Sequence, residues 1–164
     1  MFREMRRKKQ KLTDKQCLDI LKRAKTETLD LSGDDGYPYS VPINFVYEDG
    51  KIYFHGAKEG HKIDALKNNP KVSMSIIDQE DVIEEELTTY FRSVILFGKA
   101  RILQSDDEIY HAIETLGLKY NEDEIAVEKE IQREWKSLCC IEITIEHLTG
   151  KQAIELVNKN YQDF

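Results

Sequence analysis

Two histidines, two glycines and two lysines fall within nine positions, 54–62, in the stretch FHGAKEGHK. Lysine and histidine are side chains that donate hydrogen bonds to an anion, and glycine lets the backbone approach it closely. The stretch ends a run of strand character and opens HKIDALKNN, a short helix stopped by Pro70. The first amides of a helix are unpaired and carry partial positive charge. His61 and Lys62, preceded by Gly56 and Gly60, are therefore candidates for holding a phosphate. A solvated helix cap uses the same residue types, and this stretch alone leaves both readings open. His55 is open between a pocket-lining proton donor and a structural hydrogen-bonding residue. His111 and His147 complete the histidines, and no pair has metal-ligand spacing with a suitable third ligand, so no metal site is expected. Cys17, Cys139 and Cys140 are odd in number, with two adjacent, which points to reduced thiols, at least one of them buried and inert.

The elements that must position these residues follow from periodicity and turn chemistry. Thr13 opens a helix with the capping box TDKQ, and Cys17, Leu18, Ile20, Leu21 and Ala24 share one face of it. TLDLSGDDGYPYSVPINFVYEDGKIYFHGA reads as three short strands, with Glu-Asp-Gly marking a hairpin between Tyr47 and Lys51. Pro42 lacks a ladder donor, so it belongs at an edge or a bulge, where nearby backbone groups are free for a ligand. KVSMSII is a further strand, and the acidic DQEDVIEEE, 78–86, is expected as an exposed loop. LTTYFRSVILFGKARIL is a long strand with a bend or bulge at Gly98. SDDE caps a helix through about Leu116, EDEIAVEKEIQREW is another helix, and SLCCIEITIEHL is a strand in which Cys139, Ile141, Ile143 and Ile145 alternate with polar residues. Six or so antiparallel strands with helices outside them suggest a β-barrel with α additions, an α+β fold that is mainly β.

At 164 residues and 40% hydrophobic, the chain fits a single domain, 1–164, with a basic N-terminal arm over 1–12. Residues 1–25 carry ten Lys or Arg against three acids, while the whole chain has a net charge of −7. That arm lacks the interleaved aromatics of a base-stacking surface, so nucleic-acid binding is not expected. Without a long apolar segment or a signal peptide, the chain reads as cytoplasmic, with no membrane partner.

The ordered run GYPYSVPINFVYEDGKIYFHGAKEGHKIDALKNNPKVSMSI, followed by YFRSVILFGKARIL and TGK, resembles the flavin-binding split-barrel family that includes pyridoxamine 5'-phosphate oxidase, and most resembles its nitroimidazole-resistance branch. LDLS stands where relatives often have a more apolar strand. The resemblance implies a six-stranded antiparallel split β-barrel with peripheral helices, holding FMN at the interface of a homodimer. Carried over by position, Ser40, Val41, Pro42 and Ile43 match the strand along the flavin ring, and Phe54, His55, Gly56 and Ala57 the neighbouring strand end. His61 and Lys62 match the basic pair on the phosphate, while Ser93 and Lys151 match polar contacts near the cofactor. FAD, a deazaflavin or haem replaces FMN in relatives of this kind. The implied activity is that of an oxidoreductase passing electrons from a small-molecule donor to a small acceptor such as a nitro-aromatic compound, with His55 as the catalytic candidate. No Rossmann fingerprint is present, so a nicotinamide donor would stack transiently on the exposed flavin. The alternative is a non-catalytic flavin-binding or stress-related ligand-binding module.

Overall fold

In the computed structural model, which describes residues 1–158, the strands are β1 (Thr26–Ser32), β2 (Pro38–Asn44), β3 (Val46–Glu48), β4 (Lys51–Gly56), β5 (Lys71–Ile83), β6 (Thr88–Ile102) and β7 (Cys139–Gln152). They form one antiparallel sheet in the order β2-β1-β5-β6-β7-β4-β3. The helices are α1 (Asp14–Arg23), α2 (His61–Asn68), α3 (Asp106–Tyr120), α4 (Glu124–Glu134) and α5 (Ile154–Asn158). Residues 159–164 of the expected single domain lie outside the described residues.

The mainly β, α+β class stands, but the sheet has seven strands among the described residues and is not closed by hydrogen bonds, against the six-stranded barrel expected. The extra strand arises at Phe45. Its side chain is fully buried, its amide donates to the Tyr120 hydroxyl at 3.1 Å, and its carbonyl accepts from Lys119 Nζ at 2.8 Å. These contacts replace ladder bonds, so the expected second strand splits into β2 and β3, and the chain passes there from one edge of the sheet to the other. The sheet must curl for a single residue to join its two edges. β2 comes beside β4 without pairing to it.

Curling encloses the main core. Leu29, Met74, Leu96 and Ile141 from four strands pack with Ile20 and Leu21 of α1, all at 0% exposure. The Thr13 capping box is formed in both directions, as its sequence requires, and it fixes where α1 begins. A second cluster lies outside the sheet, where Ala112 and Leu116 of α3 and Ile131 of α4 cover Tyr53 of β4 and Cys140 of β7. β7 is thus buried on both faces at its start. The expected alternation of apolar and polar residues fails there: Cys140 is 1% exposed, and Glu142, 4% exposed, is held by Lys51 at 3.0 Å and Arg101 at 2.9 Å. α3 runs to Tyr120, four residues beyond its expected end.

The acidic segment is not a loop. β5 continues to Ile83 in register with β6, past an irregularity between Ile77 and Gln79, and only Glu84–Glu86 form a turn. Acidic side chains do not oppose this pairing, because a two-stranded ribbon joins backbone to backbone and leaves the side chains in water. The bulge expected at Gly98 is present as a register shift between β6 and β7.

Candidate functional site

The end of β4 and the start of α2 build one feature. Gly60 precedes α2 with φ 121° and offers no side-chain cap. Its carbonyl accepts from the amides of Ile63 and Asp64, so the amides of His61 and Lys62 are left without acceptors among the described residues. Lys62 bends back over the strand end. Its Nζ stands 5.5 Å from the centre of the Phe54 ring, and a Cβ placed on Gly56 would come within 3.0 Å of it. A side chain at that position would press the end of the lysine aside by a few tenths of an ångström. Lys62 is half-buried and has no carboxylate partner among the described residues, and burial lowers its pKa, opposed by the nearby Cys139 thiol. An unpaired cation beside two unpaired helix amides is an arrangement for an anion.

His61 takes another direction. Its ring stacks on Tyr39 of β2 with centres 4.0 Å apart, and its Nε2 lies 3.7 Å from Asp34. Adjacent residues on a helix diverge by about a quarter turn, so the basic pair does not converge on one point within this chain. His55 leaves the end of β4 towards solvent. Desolvation, then the Lys62 cation, lowers its pKa, and Glu134 opposes them. Neutral imidazole is accordingly the favoured form at neutral pH.

Of the other expected residues, Ser40 and Pro42 point outward from β2, while Val41 and Ile43 turn into the core. β2 is an edge strand, one of the two placements open to Pro42. Ser40 donates to Asp30. Phe54 is 1% exposed and can meet a ligand at this end only through its backbone, whereas Ala57 is exposed. Ser93 and Lys151 face each other across β6 and β7, with Lys151 Nζ 5.1 Å from the centre of the Phe91 ring. They are remote from His55. His55 pairs with Cys140 at the start of β7, and the eleven residues from there to Lys151 span about 35 Å of extended chain. The structure therefore brings β2, β4 and α2 together and leaves Ser93 with Lys151 at the far end of the sheet.

Two cavities open at the β4 end. One, of about 550 Å³, is lined by His55, Gly56, Ala57 and Lys58 together with Glu134 and Leu138. The other, of about 520 Å³, lies under α3 and α4 and shares His55, Glu134 and Leu138 with the first. Sequence reading treated these helices as peripheral and missed Asn44, Tyr120 and Glu134 as residues lining one cavity with His55. The inward stripe of α4, Val127 and Ile131, was legible as helical spacing, but the strand end it would cover was not. Among the described residues, no group of three or more His, Cys, Asp or Glu could hold a metal ion.

Comparison with known structures places the fold. A candidate 5-nitroimidazole antibiotic resistance protein from Bacteroides thetaiotaomicron VPI-5482 is similar with TM-score 0.70 and 23% identity, over 87% of this chain and 86% of that one. An FAD-binding protein from Mesorhizobium loti gives 0.63 and 21%, over 87% and 96%. The FAD and heme binding protein from Mycobacterium smegmatis gives 0.67 and 18%, over 89% and 74%. Among curated sequences, the uncharacterized protein RA0666 of Rhizobium meliloti (strain 1021) is 30% identical over 77 residues, and this match spans 47% of the chain and 46% of that relative. Residues 13–152 match the model of the pyridoxamine 5'-phosphate oxidase family, from Thr13 at the capping box of α1 to the last residue of β7, and the chain belongs to that family.

Proposed function

We propose that the protein binds FMN between two copies of the chain and uses it to move electrons from a small donor to a small acceptor. The observation that carries this reading is Lys62, a half-buried cation that has no carboxylate partner among the described residues, beside helix amides that have no acceptor among them, at a strand end opened by Gly56. These groups fit the terminal phosphate of FMN. β2 is an edge strand whose outer backbone groups are free to orient the polar edge of a flat ring. Several proteins of similar fold are named as FAD-binding, or as FAD and heme binding, which supports a flavin over unrelated ligands.

Two copies are needed because Ser93 and Lys151 lie too far from α2 to share a ligand within one chain. The outer face of the sheet near them exposes Ile77, Ile95 and Phe97, apolar side chains suited to a partner surface. A twofold arrangement sets the β6–β7 face of one copy against the β4 end of the other.

When bound, the flavin supplies two-electron transfer, accepting a hydride equivalent from a donor such as a reduced nicotinamide and giving electrons to an acceptor such as a nitro-aromatic compound. The chain's own groups bind and orient. Lys62 and the first amides of α2 neutralise the phosphate, and β2 and β4 flank the ring. His55, neutral at neutral pH, donates a hydrogen bond to the reacting partner instead of delivering a proton from imidazolium. The test is an absorbance spectrum of the protein as purified, followed by anaerobic addition of NADH or NADPH and then an acceptor. Bleaching of the flavin and its return support the oxidoreductase. A flavin that no donor reduces, and that no acceptor reoxidises faster than free FMN, supports the binding module in its place.

A further inference from the structure

The cavity under α3 and α4 has a chemistry unlike that of the strand end it joins. Its floor is Ile113 and Leu116 of α3, Val127 and Ile131 of α4, and Leu138, each less than one tenth exposed. Its rim is polar, with Asn44, His55, Tyr120, Asn121, Glu130 and Glu134. Among the described residues no lysine or arginine lines it, whereas Lys58 lines the neighbouring cavity. Arg133 pairs with both rim glutamates, at 2.5 Å and 3.0 Å, and offsets part of their charge from outside the cavity. α4 is held chiefly by α3, and beside the strand end that these helices cover a space is left unfilled. A volume of about 520 Å³ is that of a small-molecule site.

We propose that this cavity is the acceptor pocket of the reaction put forward above, and that it takes a flat, uncharged aromatic molecule, which it delivers to His55 at the junction with the flavin end. The floor offers aliphatic surface for a ring, and the rim offers hydrogen-bonding groups for its substituents. An anionic ring is disfavoured, because two carboxylates face it and no lysine or arginine among the described residues does. The two cavities thus divide the labour: the anionic end of the cofactor belongs with Lys62, and the uncharged acceptor belongs under the helices. The assignment rests on the proposed function for its role, but the site can be tested without turnover.

The experiment measures binding to the full chain by fluorescence of two probes with the same rings, neutral N-phenyl-1-naphthylamine and anionic 1-anilinonaphthalene-8-sulfonate. The neutral probe is expected to bind about tenfold tighter. Ala126, half-buried on the cavity wall, is changed to Trp to fill the space, and Asn121→Trp blocks the rim from an exposed position. Either variant should weaken the neutral probe by about tenfold while leaving the FMN titration within about twofold. Glu130→Gln with Glu134→Gln should strengthen the anionic probe by a few-fold, the size expected for partly exposed charges. Unchanged neutral-probe affinity in both folded tryptophan variants overturns the pocket. Probe binding that behaves as stated in a protein that takes up no FMN upholds the site and overturns the flavin reading alone.

Discussion

Lys62 and Lys119 are both lysines drawn out of water, and the consequences differ because their partners differ. Lys62 has no carboxylate partner among the described residues, and in the proposed function the phosphate of FMN supplies the anion. Lys62→Ala should weaken FMN by about ten- to hundredfold, the loss of one charge-assisted contact worth about 1.5 to 3 kcal/mol, and should barely change riboflavin, which lacks the phosphate. Equal losses for the two ligands would remove Lys62 from the phosphate. Lys119 instead donates to the carbonyls of Ala24 and Phe45 and lies 4.2 Å over the Phe45 ring, locking α3 to the seam where the chain changes sheet edge. Burial pushes its pKa down to about 8, with Glu27 opposing. The unfolded lysine keeps its proton to about 10.4, so between these values the unfolded state binds more protons and stability rises with pH. Below about pH 8 the full cost of the buried charge is present. Denaturant titrations from pH 7 to 10.5 should show the wild type gaining on Lys119→Met across that window, and parallel curves would refute the assignment.

At the scale of elements, the places where backbone meets backbone are the most sensitive. Gly98 sits at the β6–β7 bulge, where a Cβ would come 2.4 Å from the carbonyl oxygen of Thr144 and 2.7 Å from Ile143. Gly98→Ala should cost about 1 to 3 kcal/mol in denaturant unfolding, the range for forcing atoms into a packed region. A loss below the error of the measurement would show that the bulge yields. Gly98 was legible in the sequence because a glycine within a β-branched run signals a bulge, and the Thr13 capping box and the Glu-Asp-Gly hairpin were legible because their chemistry is local. The ribbon through Asp81 and Val82 was not, since its pairing depends on register with β6 and its side chains alternate into water on both faces. The break at Phe45 was hidden for a related reason: it is made by Tyr120 and Lys119, more than seventy residues away. Much of the binding end followed from the family resemblance and the Gly-His-Lys chemistry of 54–62, whereas Glu134 and the cavity under α3 and α4 depend on tertiary packing that no local pattern encodes.

The whole molecule accounts for the separation of the expected site into two halves. No helix among the described residues is long and apolar enough to cross a membrane. The apolar patch on the outer sheet face, at Ile77, Ile95 and Phe97, is the surface proposed above for the contact between copies. Phe2 of the N-terminal arm stacks on His147 with ring centres 4.7 Å apart and lies 5.3 Å from Phe97, so the arm already borders that face. Ile95→Glu should yield a folded monomer, because the residue is 45% exposed in the single chain and buries nothing essential to it, and that monomer should have lost most of its flavin affinity although no residue of α2 has changed. The most direct measurement is sedimentation velocity of the protein mixed with FMN, followed at once in the protein absorbance and in the visible flavin band. The flavin should travel with a species of twice the chain mass and be absent from the monomer boundary of Ile95→Glu. Flavin sedimenting with a single chain, or remaining unbound beside a dimer, would contradict the account.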